Sequence, residues 1–204
     1  MCIRDRWKAS LFLIGSFLYT GLEETIWMVF GYFHILGVPP TYQFNYFTNG
    51  ILWFFSIPLQ ACLGWYFLAY GCFYIIEKVF PKLIEKKWGL IKSASLAGLL
   101  AMNIDLLVDP IMVRREAWYW LSAKNETIWI LGIPYSNFIG WFLLICLFAI
   151  YWTKMTGLRE KYGTVKTTVF YFVGLFGLLF GTIFLIMLVT IVCSPLNGLI
   201  IGFI

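Results

Sequence analysis

Long apolar runs are the feature that most constrains how this chain can fold. Five of them lie at roughly 9–37, 46–76, 89–109, 136–153 and 167–193, and a partial run follows Pro195. Because about 20 apolar residues let one helix cross the hydrocarbon core of a bilayer, these runs predict a membrane protein with several spans. Only 12% of the residues are charged, whereas a soluble domain averages about 25%. A soluble helical bundle is therefore disfavoured.

The runs predict an all-α bundle of five or more transmembrane helices and no sheet. Only helices and closed barrels satisfy the backbone in lipid, and these runs are too long and continuous for barrel strands. We expect residues 7–204 to form a single transmembrane domain, because no linker divides them. The opening residues 1–6, M-C-I-R-D-R, resemble a translated sequencing adapter, and we expect a fragment truncated at both ends. Pro58 is predicted to kink the second span.

Basic residues predict how the helices are oriented. Lys and Arg accumulate in cytoplasmic loops, and two connecting segments, 77–92 and 154–166, are rich in them. These two segments are expected inside, whereas 38–48 and 114–134 are expected outside. The remaining positive charge is expected to contact membrane lipids. Because the basic residues are scattered and form no aromatic-basic groove, no nucleic-acid partner is predicted.

The single histidine and the isolated cysteines limit the chemistry. Metal sites in membrane enzymes need several His or Cys ligands, which His34 alone does not supply. No metal is therefore predicted, and histidine-box desaturases and haem held by two histidines are excluded. Four cysteines lie in apolar runs without C-x-x-C spacing and are predicted to be buried free thiols: Cys62, Cys72, Cys146 and Cys193.

Two aspartates close the third run. Asp105 and Asp109 are four residues apart, so on a helix they share one face, about 5–6 Å apart. Intramembrane acids usually face a bundle interior or a wet cavity. Two carboxyl groups that close do not both ionise in a low dielectric, so a protonated acid lies beside an anion. Alternatively, both lie in the headgroups and pair with Arg114 and Arg115. Pro110 is expected to push Asp109 out of helical geometry.

Other polar and aromatic residues have the same two interpretations. Trp118 and Trp120 follow the aspartates closely, and their ring faces could stabilise a cation or belong to an interfacial belt. Glu23 and Glu24 interrupt the first run and either face the same site as the aspartates or lie in headgroups. Since adjacent helical residues point about 100° apart, at most one of the two glutamates is expected to face the site.

Two motifs of this region resemble the integral-membrane carotenoid biosynthesis protein family. They are D-L-L-V-D-P followed by W-Y-W, and L-G-I-P-Y-S-N-F-I-G-W-F. The family includes the bisanhydrobacterioruberin hydratase and the acyclic carotenoid hydratases. The resemblance covers roughly residues 100–150, and the segment F-G-Y-F-H-I upstream departs from the family in spacing. The matching positions are Asp105, Asp109, Pro110, Trp118, Trp120, Gly132, Pro134, Asn137, Gly140 and Trp141.

The resemblance implies an enzyme of the hydro-lyase class in the plasma membrane of a prokaryotic cell. Its substrate is an acyclic carotenoid, an isoprenoid lipid, whose terminal double bond gains water without a metal or redox cofactor. The catalytic candidates are the pair Asp105 and Asp109, together with Glu23 and Glu24. Asn137 and Tyr135 are hypothesised to orient water. Three tryptophans are hypothesised to line the polyene groove: Trp118, Trp120 and Trp141.

Two other function classes remain open at the level of sequence. An intramembrane prenyltransferase would hold a Mg²⁺-diphosphate between two acidic motifs, and here only Glu23 and Glu24 are available as the second motif. A non-enzymatic subunit that binds lipid or carotenoid would not need the carboxylates at all. A transporter is less well supported, because inverted repeats are not apparent.

Overall fold

Five long helices make up most of the described chain. The computed structural model describes residues 5–32, 42–44, 52–83, 88–120, 129–131 and 133–193, so His34 and Gly132 lie outside the described residues. This architecture confirms the predicted all-α bundle. In chain order the helices are α1 (Arg6–Tyr32), α2 (Leu59–Val79), α3 (Gly89–Arg114), α4 (Tyr135–Gly157) and α5 (Arg159–Cys193).

Four of the described helices, α2 to α5, are long and apolar enough to cross a membrane. Helix α1 is also long enough, at 27 residues, but it carries Glu23 and Glu24. The outward faces of the spans are strongly apolar, as on α5, where Val173, Phe176 and Phe180 are all more than half exposed. In a bilayer these side chains contact lipid tails, so their exposure carries no hydrophobic penalty.

Short antiparallel strand pairs join the helices at one end. Strand β1 (Tyr42–Phe44) pairs with β4 (Trp118–Trp120), β2 (Trp53–Phe54) with β3 (Ile57–Pro58), and β5 (Trp129–Ile130) with β6 (Ile133–Pro134). The prediction of no sheet is therefore wrong for these three short strand pairs, which lie between the helices. Backbone groups between helices still need hydrogen-bond partners, and these connections supply them to one another.

Both prolines behave differently from the prediction. Pro58 closes β3 and precedes the first residue of α2, so the second span begins after the proline and is not kinked by it. Pro110 lies inside α3, which continues to Arg114. Asp109 therefore keeps helical geometry, because the packing of α3 on α4 outweighs the local preference of a residue before proline.

Helices α3 and α4 pack closely against each other at Gly98. A Cβ atom added at Gly98 would lie 2.6 Å from the carbonyl oxygen of Phe142, so only glycine allows the two backbones to come this near. Gly140, a glycine of the second motif on α4, does not have this role. There an added Cβ would make only an ordinary contact, 3.8 Å from Ile186.

The bundle has two chemically different ends. At one end Asp5 forms an ion pair with Arg159, which brings the starts of α1 and α5 together. The α2–α3 connection lies at this basic end too, because α3 and α4 run antiparallel with Ser95 against Cys146 and Asp105 against Asn137. The described residues of segment 77–92, namely 77–83 and 88–92, thus lie at the same end as segment 154–166. The strand pairs form the opposite, hairpin end; only 42–44 of 38–48 is described, and the cytoplasmic side stays a prediction.

Candidate functional site

Two aspartates of α3 and one asparagine of α4 form a buried polar group. Asp105 is 0% exposed and Asp109 3%. The side-chain amide nitrogen of Asn137 donates to Asp105 Oδ2 at 2.7 Å and to Asp109 Oδ2 at 2.6 Å. Because an amide nitrogen carries two hydrogens, each carboxyl group receives one. We call Asp105, Asp109 and Asn137 the carboxyl fork.

The carboxyl fork faces the bundle interior and not the headgroups. Arg114 and Arg115 are exposed at the end of α3, whereas both aspartates are buried against α4. The alternative in which the aspartates merely pair with these arginines is therefore contradicted. Helical spacing explains the arrangement, since residues at i and i+4 share a face and α3 remains helical through Pro110.

One oxygen of the carboxyl fork is buried without a hydrogen-bond partner. Among the described residues three buried polar atoms lack a partner, and Asp105 Oδ1 is the one that belongs to a carboxyl group. A buried polar atom left unpaired costs about 1–3 kcal/mol, so the Oδ1 atom calls for a water molecule or a ligand.

Helix α1 adds a third carboxyl group from across the bundle. Glu24 is 9% exposed, accepts a hydrogen bond from Trp65 Nε1 on α2, and interacts electrostatically with both Asp105 and Asp109. Glu23 is also buried, but it bonds along its own helix to Trp27 Nε1 at 2.6 Å. Of the two adjacent glutamates, Glu24 is thus the one that faces the carboxyl fork.

Aromatic rings lie next to these carboxyl groups. Trp141 is one turn beyond Asn137 on α4, and its ring centroid is 4.3 Å from that of Trp65. Trp118 is half-buried at the hairpin end, where it packs against Ile57 and Cys62.

Two further candidates lie near the start of α4 or at the hairpin end. Tyr135 is half-buried at the first residue of α4, two positions before Asn137. Trp120 pairs through its backbone with Tyr42, and its side chain lies outside the described residues.

The structure changes the expected role of Asn137 and adds Trp65. Asn137 was expected to orient water, but both of its N–H groups are directed to the aspartates, which leaves only its carbonyl oxygen for water. Trp65 was not predicted from the sequence, because it lies in an apolar run, as core residues do. The signal that would have found it is indirect: a buried glutamate needs a donor, and Trp is the apolar side chain that brings an N–H.

Within the part of the chain that the structure describes, no three His, Cys, Asp or Glu side chains are grouped so as to hold a metal ion. Cys62, Cys72 and Cys146 are buried free thiols, as the sequence predicts, and the side chain of Cys193 lies outside the described residues.

Comparison with known proteins extends the resemblance beyond the two motifs. No curated protein and no solved structure matches the chain significantly. The model of the family described as "Carotenoid biosynthesis protein" matches residues 3–204, which is nearly the whole chain. The helices that carry the carboxyl fork, Glu24 and Trp65 all fall within this match. The chain therefore belongs to the carotenoid biosynthesis protein family.

Proposed function

We propose that this protein adds water to a terminal isoprenoid double bond of an acyclic carotenoid, and that the carboxyl fork supplies the proton. Membership of a carotenoid biosynthesis family supports the substrate class. Hydration of a trisubstituted double bond requires a positioned acid, a site that tolerates a tertiary carbocation, and a water molecule. The described residues offer groups suited to the first two of these requirements.

The observation that carries the proposal is the sharing of one asparagine amide by two buried carboxyl groups. Asn137 is neutral, so it does not compensate two negative charges in a low-dielectric interior. Two buried carboxyl groups this close do not both ionise in such an interior. The pair is thus expected to hold one proton and one negative charge, which is an acid with its counter-charge already in place.

Two neighbouring rings support the second requirement. Trp65 and Trp141 are in contact, and Trp65 is hydrogen-bonded to Glu24 beside the aspartates. The face of an indole ring attracts a cation by about 0.5–2 kcal/mol, more when the site excludes water. A carbocation formed next to the carboxyl fork would therefore have both an anion and indole rings close by.

Expression in a host that accumulates acyclic carotenoids tests the proposal. We expect the wild-type protein to yield a pigment heavier by one water, and Asp105→Asn or Asp109→Asn to abolish it, because the amide is nearly isosteric but supplies no proton. Membrane insertion of each variant is checked by detergent extraction and size-exclusion chromatography.

Two other results would support a different function. A pigment heavier by isoprenyl units, formed only with Mg²⁺ and a diphosphate donor, would instead support prenyl transfer. An unchanged pigment profile with carotenoid bound to the purified protein would support a binding subunit.

A further inference from the structure

We infer that the three carboxyl groups divide the reaction: Asp105 Oδ1 gives the proton to the double bond, and Glu24 takes the proton from the attacking water. This inference rests on the proposed hydration. It goes beyond that proposal because it assigns an atom and a direction to each proton transfer.

The carboxyl fork is not symmetric, and the asymmetry selects Asp105. Both Oδ2 atoms are held by Asn137, so neither is free to approach a substrate. Asp105 Oδ1 is fully buried and unpartnered, and it is the one carboxyl oxygen of the described residues in that condition. A general acid must present an oxygen within hydrogen-bond reach of the atom it protonates. Asp109 then acts as the positioning carboxylate that shares the amide.

Glu24 is placed to act as the base. It comes from α1, so it faces the aspartates from a different helix and interacts electrostatically with both. Its partner Trp65 Nε1 is a donor only, so Glu24 Oε1 is held as an acceptor. Glu23, its neighbour, is equally buried but is directed to Trp27 on its own helix.

The steps balance in atoms and charge. The O–H bond at Asp105 breaks while the alkene electron pair forms a C–H bond at the less substituted carbon, leaving a tertiary cation and an Asp105 carboxylate. A lone pair of water forms the C–O bond, and Glu24 takes one proton from that water. Transfer of this proton back from Glu24 to Asp105 restores both groups, so one water is consumed and no net proton.

Turnover in D₂O with purified protein and an acyclic carotenoid in detergent separates the two halves of the reaction. The wild type should give a hydrated product with one deuterium on the newly protonated carbon. Asp105→Asn should lose product by about 10²–10⁴-fold and show no deuterium in recovered substrate. Glu24→Gln should lose product at least about tenfold yet accumulate deuterium in recovered substrate, since the cation forms and reverts by losing a proton.

Two matched variants control for the loss of a nearby acid and for misfolding. Glu23→Gln changes an adjacent acid of similar burial and should behave as the wild type, because the Gln carbonyl still accepts from Trp27. Asp105→Glu restores a proton donor and should regain deuterium exchange in part, even where Asp105→Asn is poorly folded.

The possible outcomes distinguish failure of these proton-transfer roles from failure of the proposed hydration. Deuterium exchange that persists in Asp105→Asn, or that is absent in Glu24→Gln while the wild type hydrates, overturns the division of roles. Loss of product in Glu23→Gln equal to that in Glu24→Gln overturns the assignment of Glu24. A wild-type protein that incorporates neither deuterium nor water overturns the proposed hydration itself.

Discussion

Substituting Gly98 by alanine tests whether the close packing of α3 on α4 positions the carboxyl fork. The added Cβ would lie 2.6 Å from the carbonyl oxygen of Phe142 and 3.2 Å from the Cβ of Cys146. A side chain could rotate away, but a backbone carbonyl in a helix cannot. The two helices must therefore move apart near this point.

The size of the movement follows from the contact distances. An ordinary contact begins at 3.4 Å, so α3 and α4 must separate by about 0.8 Å at Gly98. Asp105 lies about 10 Å further along α3, close enough to share much of this displacement. Its 2.7 Å bond to Asn137 would then exceed the about 3.2 Å limit of a good N–H···O bond.

Both stability and activity should respond. Overpacking of this kind costs about 1–3 kcal/mol of unfolding free energy, and each membrane hydrogen bond that is lost contributes about 0.6 kcal/mol on average. A displacement near 1 Å at a reacting group lowers the rate by about 10²-fold. We therefore expect Gly98→Ala to lower the melting temperature modestly and the yield of hydrated carotenoid severely.

The control is a glycine-to-alanine substitution at a position where the added Cβ contacts no other atom. Gly71 lies on α2, and an added Cβ there has no neighbour within 4 Å. Gly71→Ala should leave the pigment yield unchanged and should not lower the melting temperature, since Ala favours the helix over Gly. If Gly98→Ala melts and hydrates like Gly71→Ala, the reasoning about close approach is refuted.

Three further predictions follow from other contacts. Trp65→Phe keeps a ring but removes the indole donor to buried Glu24, so hydrated product should fall about tenfold and the melting temperature should also fall; wild-type yield would contradict this. An added Cβ at Gly15 would lie 1.8 Å from the phenol oxygen of Tyr171, so Gly15→Ala should lower the melting temperature relative to the wild type. Lys82→Cys and Glu160→Cys should be labelled by an impermeant thiol reagent from the same side of the membrane, and labelling from opposite sides would exclude the arrangement of the basic end.

The parts of the fold that could be predicted are those where the bilayer leaves little choice. An apolar run of span length has to be helical because lipid offers no hydrogen-bond partners to the backbone. The same cost argument identified Asp105 and Asp109, since buried acids at i and i+4 must face a polar partner in the interior. Neither conclusion required knowledge of which helices are neighbours.

The parts that could not be predicted depend on contacts between helices. Pro110 has a local preference to break the helix before it, and only the packing of α3 on α4 shows that this preference is overcome. Trp65 looks like any core residue until α1 brings Glu24 against it. The requirement for glycine at position 98 likewise arises from the Phe142 carbonyl on α4, which no pattern within α3 reveals.

The depth of the carboxyl fork bears on which double bond the proposed reaction would reach. Asp109 lies about 8 Å from the end of α3 and Asp105 about 14 Å, at 1.5 Å per residue, whereas the middle of this 26-residue helix lies about 20 Å from that end. The fork thus lies between the hairpin end and the middle of the span. A long acyclic polyene lying across the bilayer has its terminal double bonds toward the two membrane surfaces and its conjugated centre at the midplane. A proton source displaced toward one end of the bundle therefore suits a terminal double bond better than a central one, which is the regiochemistry that the proposed hydration requires.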